Sequence, residues 1–230
     1  MIVSVHQPQY IPWLGYFDKI ARSDCFVFLD RVQYKPREFQ NRNKIRTKNG
    51  WIWLTVPVVS GGRQSIYEAI IDNAFPWKRK HLMSLKSAYS SAAFFADYFP
   101  FFEDTYARKW EKLSDLNTHI ITYLLEKLNL AKPIDLESGL NITDTRTERI
   151  IQICKKLKAD TYLSGAGGKD YLEEEKFARA GLKLVYQNFI HPAYRQQFTP
   201  NNDEFIPYLS ILDLLFNEGV KSREVLSKGE

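Results

Sequence analysis

The chain has 230 residues, 44% hydrophobic and 26% charged, the make-up of a globular protein able to bury a sizeable core. Its formal charge of +5 suits an anionic small-molecule ligand and is too weak by itself to establish nucleic-acid binding. Two cysteines inside apolar runs exclude a disulfide framework. The absence of a signal-like start, and of any apolar run near the roughly 18 residues of a membrane span, sets the expectation of a cytoplasmic protein.

Met1–His6 is a short apolar run that stops at His6-Gln7-Pro8, which reads as a buried strand. Trp13–Arg22 places Leu14, Phe17 and Ile20 on one helical face, with Pro12 suited to the first turn. Cys25–Leu29 is a second apolar strand, closed by Asp30. Strand, helix and strand within about thirty residues are the mark of a parallel sheet. Arg31–Gly50 is basic and polar without a clean period, and reads as a long functional loop. Trp51–Pro57 and Ile66–Ile71 return to strand-like residues.

Three amphipathic stretches follow, near Trp77–Tyr89, Ala96–Tyr106 and Trp110–Leu128, with no strand signal between them. Thr143 or Asp144 can cap a helix running to Lys158. Thr161–Leu163 reads as a strand, Tyr171–Ala180 as a helix and Leu182–Tyr186 as a strand after Gly181. In Ser210–Asn217, Ser210 with Asp213 fits a capping box and Gly219 a C-terminal cap. The expected fold is α/β, a Rossmann-like parallel sheet formed by residues 1–75 and 140–230, with a helical insertion over 76–139.

Three constellations carry chemistry. Open parallel sheets bind ligands at the carboxyl ends of their strands, and His6 sits at such an end. Its imidazole can donate to a phosphate oxygen or move a proton near neutral pH; the alternative is a structural histidine bonded to a nearby carbonyl. Gln7 and Gln9 offer neutral donors beside it, and Tyr10 a ring to stack on a base. Asp30 ends the neighbouring strand. The loop after it presents Gln33, Tyr34, Arg37, Asn41 and Arg42, a mixture suited to phosphate, carboxylate or sugar. A solvated basic loop is the competing reading.

Ser164-Gly165-Ala-Gly167-Gly168-Lys169-Asp170-Tyr171 lies between a strand and a helix. Its glycines allow close backbone approach to a ligand, and Lys169 can neutralise phosphate; the plainer reading is a turn capped by Asp170. His191 and Tyr194 either reach the pocket or bracket a loop. His81 recurs with Trp77 and Tyr89 at helical spacing, which favours core packing. Asp18, Lys19 and Asp24 read as ordinary helix-surface and turn residues. No cysteine–histidine spacing suggests a metal site.

The segments HQPQYIPWLGYFDKIARSDCFVFLD, QYKPREFQNRNKI, WIWLTVPV, SGAGGKDYL, NFIHPAYRQQF and LSILDLLFNEG together resemble the WbqC-like family, found with bacterial surface-polysaccharide genes. The resemblance covers nearly the whole chain. It implies transfer of an acyl or aminoacyl group, glycyl among the candidates, to an amino group of a nucleotide-linked amino sugar in O-antigen and related polysaccharide synthesis. An acyl adenylate is one route.

A more distant similarity is to pantothenate synthetases and other nucleotidylyltransferase-like folds. Asp24–Tyr34 is similar to their second strand and loop, and Gly168-Lys169-Asp170-Tyr171 to a turn of theirs. Their HxGH phosphate motif would fall near Pro12–Gly15, which here reads PWLG. On that similarity ATP and Mg²⁺ enter as substrate and ion, with no tightly bound cofactor. His6, Arg42 and Lys169 would meet phosphate charge, and His6 or Asp30 would deprotonate the attacking amine. Two alternatives remain open: a nucleotidylyltransferase making a nucleotide-activated small molecule, and a non-catalytic nucleotide-binding module. Nucleic acid is not the expected partner, and oligomeric state is unspecified.

Overall fold

The computed structural model describes residues 1–59, 61–198 and 205–229. The first half of the chain forms β1 (Ile2–His6), α1 (Leu14–Ala21), β2 (Cys25–Phe28), β3 (Arg42–Thr47) and β4 (Gly50–Thr55). Three helices follow, α2 (Trp77–Tyr89), α3 (Phe95–Ala107) and α4 (Leu113–Lys127). The rest forms β5 (Ile134–Leu136), α5 (Arg146–Lys156), β6 (Thr161–Ser164), α6 (Glu174–Arg179), β7 (Lys183–Tyr186), α7 (Ile211–Glu218) and α8 (Ser222–Ser227).

Five strands make one all-parallel sheet in the order β5-β2-β1-β6-β7, so the fold is Rossmann-like α/β. The opening strand–helix–strand unit pairs in parallel, with Val3 opposite Cys25 and His6 opposite Phe28. Both faces of the sheet are covered, which is why β1 and β2 read as unbroken apolar runs. Val3, Val5, Cys25 and Val27 face Ile150, Ile151 and Cys154 of α5 and Phe177 of α6. Phe26 and Phe28 point the other way, into a cluster with Tyr16, Phe17 and Ile20 of α1. That cluster continues without a break through α2, α3, α4 and α7, so the three central helices share a core with the sheet. Both cysteines are free and buried. Among the described residues no helix is long and apolar enough to cross a membrane.

Several local expectations are corrected. The second half of the Arg31–Gly50 segment is strand β3, paired antiparallel with β4 as a separate two-stranded hairpin. Ile45 is buried between outward-facing Lys44 and a buried Arg46, and the interspersed cations hide the two-residue period. Gly50 closes the hairpin turn at φ +110°, a conformation that L side chains rarely adopt. Ile66–Ile71 is no strand: it holds turns and single bridges, Val58 to Ile71 and Ile70 to Lys112. The helix expected from Tyr171 starts only at Glu174, because Ala166–Asp170 forms a 3₁₀ turn first. Neither Thr143 nor Asp144 caps α5; Thr145 holds that position without a side-chain bond.

Ser210 does occupy the N-cap position of α7, but its side chain makes no cap bond, and Asp213 does not face it. Asp213 is buried and accepts hydrogen bonds from Tyr89 Oη at 2.9 Å, Tyr194 Oη at 2.9 Å and Gln196 Nε2 at 2.9 Å. Tyr89 Oη also accepts from the Arg46 amide at 2.9 Å. One carboxylate thus ties α2, the hairpin and the chain around Tyr194 to α7. Burial pushes its pKa up to about 6, opposed by those three donors. Asp213→Ala orphans two buried hydroxyls and is expected to cost about 3 kcal/mol, lowering Tm by roughly 6–12 °C in a calorimetric scan.

Candidate functional site

All five strands of the sheet point the same way, so their carboxyl ends form one edge where chain direction changes and backbone groups are not yet paired. A cavity of about 260 Å³ opens at that edge between β1 and β6. Val5 and His6 line it from β1 and Gln7 from just beyond, Tyr162 and Ser164 from β6, and Gly165, Gly167, Gly168 and Tyr171 from the following turn. Lys19 enters it from α1.

Lys19 is the group that the sequence reading missed. It is buried, and its Nζ donates to the Val5 carbonyl at 3.0 Å. Burial pulls its pKa from the ordinary 10.5 down to about 7, so near neutral pH the amine is shared between its charged and neutral forms. Its neighbour Asp18 is equally buried but already engaged, by Arg22 Nε at 2.9 Å and Gln187 Nε2 at 2.6 Å.

His6 lies against Tyr16 edge-on, with ring centroids 4.9 Å apart. Burial, reinforced by the Lys19 charge, drives its pKa to about 3, so the ring is neutral at physiological pH. Nδ1 is 3.2 Å from the Gln7 carbonyl; a neutral ring protonated there donates to it and keeps Nε2 as an acceptor. Gln7 is fixed from two sides. Its carbonyl accepts from Tyr16 Oη at 3.1 Å, and its Oε1 accepts from Gln40 Nε2 at 2.7 Å.

Across the cavity, Ser164 Oγ donates to the Gly165 carbonyl at 3.0 Å. The turn approaches so closely that a Cβ on Gly168 would stand 2.0 Å from Ser164 Oγ and 3.0 Å from Leu172 Cδ1. A Cβ on Gly167 would meet nothing within 4 Å. Lys169 and Asp170 are exposed on the turn, and Lys169 Nζ sits 5.4 Å over the Tyr186 ring.

The structure therefore brings His6, Gln7, Ser164, Gly165, Gly167, Gly168 and Tyr171 together, and sets other candidates apart. Tyr10 is fully buried, its hydroxyl bonded to His81 Nδ1 at 2.8 Å and to the Tyr106 hydroxyl, so it offers no face to a base. Gln9 and Tyr34 are buried in the interior. Asn41 donates to the Val56 carbonyl at 2.8 Å, holding the base of the hairpin. Arg42 lies on the face of Trp53, 4.0 Å from the ring centroid. Arg37 and Gln33 are exposed on the loop, Arg37 at φ +64°. Tyr194 belongs to the Asp213 network, and His191 packs among Phe189, Phe205 and Tyr208 with its pKa lowered by burial.

Asp30 turns away from the cavity, toward β5, where Oδ1 accepts from the Ser138 amide at 3.0 Å. Glu137, fully buried, stands beside it and pairs with Arg149 Nε at 3.1 Å. Burial and the Asp30 charge raise the Glu137 pKa, and Arg149 opposes them. Among the described residues no three His, Cys, Asp or Glu side chains converge as a metal cage requires.

Comparison with known proteins gives three findings. The profile of the WbqC-like protein family matches residues 7–225. An uncharacterized protein of Mycobacterium tuberculosis is 34% identical over 227 residues, spanning 97% of this chain and 96% of its own. No solved structure matches.

Two substitutions test the site. Lys19→Met removes an amine that is neutral when folded above about pH 7 but charged when unfolded up to about pH 10.5. In that window the unfolded chain binds the extra proton, so the wild type gains stability as pH rises. The variant is expected to be the more stable protein at pH 6, by a few kcal/mol, and to lose that advantage between pH 7 and 10 in urea titrations. Gly168→Ala must displace Ser164 or the turn backbone and is expected to cost about 1–3 kcal/mol, whereas Gly167→Ala changes stability by less than about 0.5 kcal/mol in the same titration.

Proposed function

The chain belongs to the WbqC-like protein family, and we propose that it is a small-molecule transferase. On this reading it joins an acyl or aminoacyl group, glycyl among the candidates, to the amine of a nucleotide-linked amino sugar used in surface-polysaccharide synthesis. The observation that carries the reading is Lys19: a buried amine at the floor of a cavity on the carboxyl edge of a parallel sheet. A buried lysine opposes folding at neutral pH, and such groups are kept where chemistry needs them.

The amine of the acceptor must lose a proton as it bonds to the acyl carbon and the leaving group departs. A base serves best when its pKa lies near the working pH. Lys19, near 7, meets that condition, whereas His6, near 3, is too weak a base. We therefore assign the proton to Lys19, and to His6 the neutral task of accepting a hydrogen bond from the acceptor amine or a hydroxyl. Once protonated, Lys19 faces the charge that develops on a leaving carboxylate or phosphate. The glycine turn brings backbone close to the ligand, with Gly165, Gly167 and Gly168 lining the cavity. Magnesium, in this reading, enters on the phosphates of a nucleotide rather than as a resident ion.

The test incubates the purified chain with ATP, glycine and a series of nucleotide-linked amino sugars, and follows product mass. An amide product is expected. Its rate (kcat/KM) should rise with pH through about 7 to a plateau, since the base must be neutral. Lys19→Met should lower it by about 10²-fold or more. A nucleotide-activated product without an amide points instead to nucleotidyl transfer in the same cavity. Binding without turnover by every donor and acceptor pair, in folded protein, overturns the assignment.

A further inference from the structure

A side-chain amide can present either an acceptor oxygen or a donor nitrogen, and its neighbours decide which. For Gln7 the decision starts outside the cavity. The Lys35 backbone N–H can only donate, and it meets Gln40 Oε1 at 2.8 Å. The Gln33 carbonyl can only accept, and it lies 3.5 Å from Gln40 Nε2. The buried Gln40 amide is therefore held in one orientation from both sides. Its Nε2 donates onward to Gln7 Oε1 at 2.7 Å. That leaves Gln7 Nε2, with its two N–H groups, as the open end of the amide, without a hydrogen-bond partner among the described residues.

Gln7 lines the same cavity as His6 and Lys19, whereas Gln40 is no part of its wall. The Gln7 backbone is fixed as well, its carbonyl accepting from Tyr16 Oη at 3.1 Å. Among the described residues that line the cavity, Lys19 is the one cation and no carboxylate is present. A neutral donor adds no charge to this dry site, so it can stand near Lys19 without pushing that amine further from its charged form. A second lysine or an arginine in its place would do so.

We propose that Gln7 Nε2 donates to the carbonyl oxygen of the acyl group, and that Gln40 is the positioning residue that keeps this donor, rather than Gln7 Oε1, turned to the ligand. The chemistry rests on the transferase assignment above. As the acceptor amine adds to the acyl carbon, the C=O electron pair moves onto that oxygen, and the proton of the amine passes to Lys19. The oxyanion then collapses, the C=O re-forms, and the leaving carboxylate or phosphate departs with its bonding pair.

A donor fixed before the charge appears stabilises it without first reorganising. The acyl oxygen is the atom that gains charge during the addition, so a hydrogen bond to it strengthens as the reaction proceeds. A phosphate is fully charged when it binds, and the same bond would there strengthen binding and transition state alike. The three side chains then divide the work: His6 Nε2 accepts, Gln7 Nε2 donates and Lys19 takes the proton.

Two measurements need no turnover. Acetate, as the carbonyl-oxygen probe, is titrated into the full chain labelled with ¹⁵N at its glutamine side chains. The Gln7 Nε2 resonance, assigned by its loss in Gln7→Met, should shift and saturate, while that of Gln40 stays in place. Gln40→Glu sets a second acceptor opposite Gln7, should turn its amide over and should abolish the shift. In Gln7→Glu a carboxylate faces Lys19 and should raise the pKa of that amine by about one unit or more, read by NMR titration of Lys19 itself. This variant reports which way the side chain faces even where Gln40→Glu does not fold. With the donor and acceptor pair that yields the amide, Gln7→Met should lower kcat by about 10²-fold and leave KM within about twofold. No acetate shift at Gln7, or an unmoved Lys19 pKa in Gln7→Glu, overturns the proposal whether or not an amide forms. So does a wild-type kcat in Gln7→Met, which leaves the transferase assignment standing. Failure of every pair to give an amide, beside a saturating acetate shift, overturns the transferase assignment and with it the acyl role of Gln7.

Discussion

A parallel sheet buried on both faces leaves one place where its backbone can meet a ligand: the carboxyl edge of its strands. β1 is the central strand, between β2 and β6, so its end is the middle of that edge. The strand stops there because Pro8 cannot continue a ladder. His6 and Gln7 are the last side chains before the turn, and the Val5 carbonyl takes the Lys19 ammonium in place of water. The Lys19–Val5 hydrogen bond fixes what the cavity can do. It holds an amine in a dry site, and the same dryness lowers the pKa of both Lys19 and His6. In the proposed reaction, proton transfer at this edge therefore rests on the lysine, with the histidine neutral.

The surroundings hold that geometry rigid. Tyr16 is buried, touches the His6 ring and donates to the Gln7 carbonyl. Gln40 donates to the Gln7 side chain while its carbonyl accepts from Asn117 Nδ2 at 2.8 Å, and the same nitrogen reaches the Pro8 carbonyl at 3.1 Å. Helix α4 thus clamps the turn after β1. The helices between residues 77 and 127 contribute directly to the shape of the edge, through one shared core and through this buried amide.

Much of this was legible in the sequence. Met1–His6 and Cys25–Leu29 showed themselves as doubly buried strands, and the glycine turn after Thr161–Leu163 showed itself by composition. Lys19 was not legible, and the reason is physical. Seven of the eight residues of α1 are buried, because the helix is packed between the sheet and the helical layer and has no solvent face. A charged residue in a short helix with Leu14, Phe17 and Ile20 as its apparent apolar stripe is naturally placed on the wet side. That rule fails when both sides are dry. Tyr10 failed for the converse reason: a polar ring next to a turn looked available, but its hydroxyl found His81 and Tyr106 more than seventy residues away. β3 was obscured because Ile45 is its one apolar residue: buried Asn43 takes the other inner position, and Arg46 is buried although its type belongs outside.

Asp30 and Glu137 show how the edge divides into two environments. To one side of β1, Lys19 is a buried amine held by the Val5 carbonyl; to the other, two carboxylates are buried beside Arg149. Burial, with the Asp30 charge beside it, raises the Glu137 pKa, and Arg149 opposes the rise. The Ser138 amide that Asp30 accepts lies at the end of β5, so this pair fastens the edge strand to β2. Asp30, a plausible base in the sequence, is used inside the protein on the Ser138 amide, and Glu137 beside it on Arg149. On the proposed function, the side that meets a substrate is the one that holds Lys19. An anionic ligand is the one that such an edge can hold without adding a second buried charge of the same sign.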